Sequence, residues 1–375
     1  MIKVLQVIGS LNSGGSQSMI MNIYRNIDRK KMQFDFIVDR PDDLLYAEEI
    51  TELGGKIYFL PQYKLYNHRY FKKSWHQFFG EHNDYKIIHG HVRSTASIYL
   101  KIAKKYGLQT ISHSHSTSNG KGIGAIIKKV LQYKIRYVAD YFIGCSKDSA
   151  QWLFGKRKAN SNKCIILKNA IDTDKYIYDE ILRKKVREEF DVSDGEILIG
   201  NIGRFSHMKN HKFLIEIFEK IYEKNNKYKL ILVGDGELKE EIRKIVIEKN
   251  ILDRVVFTGV RRDINRILQA IDIIIMPSKY EGFPVTMVEA QCNGVPCFIS
   301  DKITSDVCLN SNITKISLNE TAEKWATIIN QNSITREKKV KEKIIAAGYD
   351  VRYNAKWIEK FYENICEKRK NENII

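Results

Sequence analysis

Two carboxylates, Glu281 and Glu289, stand on either side of Gly282-Phe283-Pro284-Val285. The apolar run from Ile271 to Met276 predicts a buried strand and Val285 to Cys292 a helix, which makes Glu281 to Pro284 a strand-to-helix loop. A loop at a helix start presents unpaired backbone N–H groups and the positive end of the helix dipole, so it suits an anionic group. One acid in the loop and another about a turn into the helix can reach different hydroxyls of a sugar or ribose lying across the helix start. Spacing alone also fits a solvated loop acid and a surface helix acid.

Two cations occupy a comparable place earlier in the chain. Arg204 and Lys209 lie between a strand over Ile197 to Ile202 and a helix through Phe213, Ile217 and Ile221. Held at a strand end they suit a diphosphate, since a hydrogen bond to a charged group contributes roughly 1.5–3 kcal/mol. Gly14 and Gly15 follow the strand Ile2 to Ile8 and precede a helical pattern, so a ligand can approach the backbone closely at a helix start that favours phosphate. The G-x-G-x-x-G spacing is absent, which counts against a dehydrogenase. His113 directly follows the strand Gln109 to Ser112, where a sheet of this kind binds ligands; His91 and His115 read as structural residues.

The elements that must position these residues alternate, strand then helix, along most of the chain. That pattern predicts mostly parallel sheets covered by helices on both faces, with ligands at the carboxyl ends of the strands. A charge-rich stretch from Asp174 to Asp194 reads as a link, after which the alternation restarts at Ile197, so the domain boundary is placed near residue 175. The stretch from Leu309 to Leu318 reads as polar and irregular. From Lys121 to Tyr141, apolar Ile123, Ile126, Ile127, Val130, Leu131, Ile135 and Val138 segregate from Lys121, Lys128, Lys129, Lys134 and Arg136 at helical spacing. This fits a helix lying on an anionic bilayer, and equally a core-packing helix with a solvated basic face.

The chain has 375 residues, 43% hydrophobic and 29% charged, which is the composition of a folded soluble protein of two or three domains. No secretory signal core or run of about 18 apolar residues is present, so the chain is expected in the cytoplasm. Six scattered cysteines, without metal-type spacing or a companion histidine cluster, read as reduced and mostly buried thiols. The net charge of +17 is concentrated: residues 1–190 hold 32 Lys and Arg against 18 Asp and Glu. Such a field suits nucleic acid, an anionic membrane surface or an acidic substrate, and also a merely solvated lysine-rich surface. Nucleic acid is disfavoured because clustered basic-aromatic motifs are lacking.

Taken in order, Gly14-Gly15, His113, Arg204, Lys209, Glu281-Gly282-Phe283-Pro284 and Glu289 make the chain resemble the retaining glycosyltransferases of family 4, over nearly its whole length. The resemblance implies the GT-B fold: two Rossmann-like α/β domains whose parallel sheets face each other across a cleft. It implies an acceptor-binding domain over 1–175, rejoined by a C-terminal helix over about 352–375, and a donor-binding domain over 176–351. By the same resemblance Arg204 and Lys209 hold the donor diphosphate, Glu289 the ribose and Glu281 the donor sugar, with the amides of Gly282, Phe283, Pro284 and Val285 nearby. Gly14 and Gly15 correspond to a loop over the diphosphate, and His113 to a histidine at the reaction centre; the doublet with His115 leaves that assignment open by two residues.

The family needs no bound metal or cofactor, and the chain lacks an Asp-x-Asp at a strand end. The implied reaction is transfer of a hexose or N-acetylhexosamine from a nucleoside diphosphate sugar, a UDP-sugar, with retention. The resemblance implies a growing glycan as acceptor, carried on polyprenyl diphosphate, and an enzyme that works at the inner face of the cell membrane. The segment Asp301 to Val307 departs from the loop of many relatives and resembles a bacterial exopolysaccharide and capsule subgroup. A UDP-N-acetylglucosamine 2-epimerase is the alternative enzyme of similar architecture.

Overall fold

The computed structural model describes residues 1–12, 14–41, 44–117 and 122–372, with side chains to residue 368. Its chain divides into two compact units, Met1–Ala170 with Val351–Ile375, and Ile171–Asp350.

Unit 1 begins β1 (Ile2–Ile8), α1 (Gly15–Asn26), β2 (Met32–Val38), α2 (Ala47–Glu52), β3 (Ile57–Phe59), α3 (His68–Glu81) and β4 (Ile87–Gly90). It continues with α4 (Ala96–Lys105), β5 (Gln109–Ser114), α5 (Ile123–Tyr133), α6 (Ile135–Val138), β6 (Tyr141–Gly144), α7 (Lys147–Ala159) and β7 (Cys164–Ile166). Every strand pairing is parallel and the order is β3-β2-β1-β4-β5-β6-β7. All seven residues of β2 are buried, as expected of a strand covered on both faces.

Unit 2 holds α8 (Glu180–Glu189), β8 (Ile197–Ile202), α9 (His211–Lys224), β9 (Tyr228–Val233), α10 (Lys239–Glu248), β10 (Val255–Gly259), α11 (Ile264–Ala270) and β11 (Ile273–Met276). After these come α12 (Val285–Asn293), β12 (Cys297–Ser300), β13 (Ile313–Ile316), α13 (Ala322–Gln331) and α14 (Lys341–Ala346). Its parallel sheet runs β10-β9-β8-β11-β12-β13. The last helix, α15 (Val351–Glu372), packs Val351, Ala355, Ile358, Tyr362 and Ile365 into the core of unit 1 beside α1.

Both sheets therefore have the doubly wound order in which the fourth strand returns to the far side of the first. The switch points fall between β1 and β4 in unit 1 and between β8 and β11 in unit 2, and open α/β sheets bind ligands at such points.

Four expectations need correction. The charge-rich stretch after Asp174 is not a link: it folds as a 3-10 turn, Thr173–Tyr176, and α8, whose Arg183 and Arg187 grip Asp272 at 2.7 and 3.0 Å. The irregular stretch after Leu309 contains β13, paired with β12 from Cys297–Ile313 to Ser300–Ile316. The basic amphipathic helix breaks at Lys134 into α5 and α6, and Tyr141 begins β6; Lys121 lies outside the described residues. Finally, β5 runs two residues further than expected because Ser114 still pairs with Gly144 of β6, so His113 lies inside the strand. All six cysteines are free, Cys292 and Cys297 fully buried and Cys308 exposed. Among the described residues no helix is long and apolar enough to cross a membrane.

Candidate active site

In unit 2 the loops after β8 and β11 lie side by side because those strands are neighbours at the switch point. Backbone and side chain fasten them together. The Lys279 N–H donates to the Met208 carbonyl at 2.8 Å, and Asn210 Nδ2 donates to the Pro277 carbonyl at 3.1 Å. Asn210 sits in the left-handed region, φ 59°, which asparagine tolerates better than most residues. The chain turned in this way places Lys209 Nζ 2.7 Å from Glu281 Oε1. The contact is one of charge, since Oε1 is buried without a hydrogen-bond partner among the described residues.

The loop carrying Arg204 is held from its other side by the turn after β9. Gly234 and Gly236 have φ of +138° and +156°, and a Cβ on either would strike the Gly203 or Phe205 carbonyl at 2.2 or 2.5 Å. The backbones can approach that closely only with glycine. Arg204 itself projects outward, its side chain 74% exposed, 3.1 Å from Glu237. The structure thus joins Lys209 to Glu281 and leaves Arg204 exposed at the surface of the same unit.

Helix α12 starts at Pro284 with no side chain capping its first N–H groups and no acid in its first turn. Its positive end is therefore available to an anion. A Cβ on Gly282 would meet nothing within 4 Å, so the space before this loop is open. Phe283 stacks on Tyr349, ring centroids 5.3 Å apart and planes 5° apart. Glu289 accepts a hydrogen bond from the Tyr176 hydroxyl at 2.7 Å. Burial pushes its carboxyl up to about 7, with the Tyr176 hydrogen bond pulling the other way. Tyr176, itself pushed up by burial and then by Glu289, was not among the expected residues. It lies in the stretch read as a link, and no spacing rule joins it to a residue 113 positions later.

At the switch point of unit 1, a cavity of about 440 Å³ is lined by Gln17, Asp39, Arg40, His91, Arg93 and Lys128, among others. Gly14 and Gly15 stand at the start of α1, Gly14 as the cap residue, again without a side-chain cap. Ser13, in the same loop, lies outside the described residues. A Cβ on Gly14 would press the Gln17 amide at 2.5 Å, whereas one on Gly15 would meet nothing. Gln17 is needed where it is, for its Nε2 donates to the Ser10 carbonyl at 3.1 Å.

The histidines form a cluster that the spacing of the sequence did not disclose. His89 and His91 of the β4 end stack against His113 and His115 of the β5 end, with centroids 4.0 to 5.2 Å apart. His89 Nδ1 meets the Tyr362 hydroxyl at 2.6 Å, and His89 Nε2 meets His113 Nδ1 at 3.2 Å. Gln6 Oε1 accepts from His91 Nε2 at 2.9 Å, so His91 Nδ1 is left to accept from His115 Nε2 at 2.8 Å. His115 Nδ1 then carries a lone pair, buried and without a hydrogen-bond partner among the described residues. Burial pushes His89 and His115 down to about 3, and His91 and His113 well below the usual range. All four are neutral at ordinary pH. Ring nitrogens of His89, His91 and His113 lie within 4.8 Å of one another, but both nitrogens of His89 and of His91 are already engaged by Tyr362, His113, Gln6 and His115. His113 is wholly buried; the strand end belongs to His115.

Helix α5 presents an exposed apolar surface: Ile123, Ile126 and Val130 are 65% to 78% exposed, with Tyr133 and, in α6, Tyr137 also outside. Of the two packings the sequence allowed, the core-packing one is excluded for these residues. The buried apolar anchor is Ile135 of α6.

Comparison with known proteins matches residues 13–175 to the model described as Glycosyltransferase Family 4, and residues 183–351 to Glycosyl transferases group 1. The chain is 31% identical to the glycosyltransferase EpsF of Bacillus subtilis over 377 residues, 98% of each chain. It is 24% identical, over 61% of its length and 60% of the relative's, to an Escherichia coli UDP-Gal:alpha-D-GlcNAc-diphosphoundecaprenol alpha-1,3-galactosyltransferase. Among solved structures, Anabaena HepE in complex with UDP-glucose superposes with a TM-score of 0.78 at 18% identity, over 97% of this chain and all of that one. WaaG, a glycosyltransferase of lipopolysaccharide biosynthesis, superposes with a TM-score of 0.65 at 14% identity over 95% of each chain.

Proposed function

The chain belongs to the family 4 glycosyltransferases, and on that premise we propose that it transfers a hexose or N-acetylhexosamine from a UDP-sugar, with retention, to a growing lipid-linked glycan in exopolysaccharide or capsule synthesis. The observation that carries this reading is the Lys209–Glu281 pair at the switch point of unit 2, beside the uncapped start of α12 and the buried Glu289. A nucleoside diphosphate sugar needs those three kinds of partner: cations and helix N–H groups for the diphosphate, and carboxylates for the hydroxyls of the ribose and the sugar. Lys209 and the exposed Arg204 neutralise the charge that develops on the departing diphosphate, which is where fixed cations lower a barrier most. With the diphosphate so neutralised, no metal ion is required. Glu281, held by Lys209, orients the donor sugar, and the acceptor hydroxyl attacks from the face the diphosphate leaves.

The UDP preference is supported by the E. coli relative, named for UDP-Gal, and by HepE, which was solved with UDP-glucose. The lipid-linked acceptor is supported by the diphosphoundecaprenol in that relative's name. Attachment to an anionic membrane at the cytoplasmic face is supported by α5, whose exposed Ile123, Ile126 and Val130 share the helix with Lys128 and Lys129.

A panel of nucleotide sugars tested for protection against thermal unfolding identifies the donor, since a ligand at 100 times its dissociation constant adds about 2.7 kcal/mol. The protected donor is then offered with glycan acceptors in the presence of a chelator. Transfer that persists with retained anomeric configuration supports the proposal. An inverted product, dependence on added metal, or release of an epimerised sugar without acceptor would each count against it.

A further inference from the structure

We infer that unit 1 carries an extended groove for a neutral glycan of at least two sugar residues, running from the cavity at its switch point to the edge of its sheet. The inference rests on the glycosyltransferase reading for its role as acceptor site, but the groove is defined by unit 1 alone. Beside the first cavity lies a second, of about 590 Å³, between the edge strand β3 and α3. The two adjoin, sharing Asp39 and Gln62 in their lining. Each is of ligand size on the usual scale of about 300–1,000 Å³.

The lining of the second cavity identifies the class of occupant. Phe59 and Tyr70 supply exposed aromatic faces, Ser74 and Gln77 neutral hydrogen-bonding groups, and Asp39, Glu81 and His82 the ionisable ones, while Tyr58 and the buried Phe78 pack on each other. Tyr70, Ser74 and Gln77 project from one face of α3 by their spacing. Phe59 and Tyr70 are 52% and 61% exposed, and neither ring pairs with another aromatic ring among the described residues. Aromatic faces left open beside amides and hydroxyls match a sugar ring, which has apolar C–H faces and a polar edge. In a unit so rich in Lys and Arg, this second cavity contains neither. A phosphate or an anionic lipid headgroup would favour the first cavity, where Arg40, Arg93 and Lys128 converge, and a neutral glycan the second. At the junction, Asp39 Oδ1 is buried 3.7 Å from Arg40 Nε, without a hydrogen-bond partner among the described residues. The Asp39 side chain as a whole keeps 21% of its surface exposed, through which it can accept from a hydroxyl of a sugar at the junction.

The test compares the binding of N-acetylglucosamine, its β-1,4-linked dimer and tetramer, glucose and maltotetraose by saturation-transfer NMR and calorimetry. The groove predicts that tetramers bind the full chain at least about tenfold more tightly than their monosaccharides. Phe59→Ala with Tyr70→Ala is expected to abolish that gain while protection by UDP against thermal unfolding stays unchanged. Gln77→Trp, which fills the groove from α3 and leaves the sheet untouched, must give the same loss. Equal affinity for monomer and tetramer, a gain that survives both variants, or no binding of any oligomer would overturn the inference. Failure of UDP to protect the wild-type chain would instead count against the glycosyltransferase site in unit 2.

Discussion

Lys209 and Glu281 lie 2.7 Å apart with side chains only 18% and 13% exposed, so each is the other's charge partner until a substrate intervenes. A pair this sheltered is held in position before the donor arrives, which suits catalysis by preorganised charge. Lys209→Ala and Glu281→Ala are each expected to lower transfer at least about a hundredfold. The double variant should lose less than the product of the two, because each single change leaves the other charge sheltered and unpaired. Arg204→Ala should lower transfer on the same scale without lowering the unfolding temperature, since its exposed contact with Glu237 contributes little to the fold. Rates and melting curves of the four variants check this, and multiplicative losses would separate the pair.

Glu289 sets a pH dependence. Its folded carboxyl titrates near 7 against 4.5 for an ordinary glutamate, because burial disfavours the ion. Between those values the folded chain holds a proton that the unfolded chain has released, so this group's contribution to stability falls as pH rises through the window. Glu289→Gln removes the titration and should raise the melting temperature relative to wild type more at pH 8 than at pH 5. UDP affinity of the wild type should rise through pH 7 as the carboxylate forms to accept from ribose. The Gln variant should show a flat profile. Calorimetric titration with UDP from pH 5.5 to 8.5 decides the matter.

The histidine cluster acts in the opposite direction on stability. Burial excludes protons from four imidazoles whose ordinary value is 6.5, so the unfolded chain binds protons that the folded chain does not. Stability is therefore lost as pH falls below about 6.5, and four histidines outweigh the one glutamate in that range. The urea midpoint should drop clearly between pH 7.5 and pH 5. His113→Gln should make the drop shallower, whatever its effect on the midpoint at pH 7.5.

The outward apolar face of α5 predicts binding to vesicles that contain anionic lipid at low salt. Ile126→Asp with Val130→Asp should weaken that binding at least about tenfold while leaving donor protection intact, since both side chains are exposed and neither belongs to unit 2. Co-sedimentation at two salt concentrations checks it. Wild-type chain that ignores such vesicles would remove the membrane assignment.

Much of the architecture is legible in the sequence. Strands such as Ile197–Ile202 and Tyr228–Val233 announce themselves as apolar runs, and their alternation with helices is enough for two parallel sheets. Glu281, Gly282 and the start of α12 were placed correctly for the same reason: a buried strand followed by a helix leaves a loop at the carboxyl end. Less was legible where a boundary depends on a neighbour. The strand β5 continues through His113 because β6 offers Gly144 as a partner to Ser114, and β13 exists because β12 offers it an edge; neither partner can be read from the segment itself.

Periodicity along the chain determined the elements, their order and which residues stand near strand ends. It could not determine adjacency. That Lys209 touches Glu281, that Tyr176 holds Glu289, and that four histidines stack in one core follow from strand order and register, which depend on long-range packing. The same holds for α5: its amphipathic pattern fits a core or a membrane, and the packing of unit 1, which buries Ile135 and leaves Ile126 outside, removes the core packing for Ile126. Local sequence specifies what a side chain can do, while the fold decides what it meets.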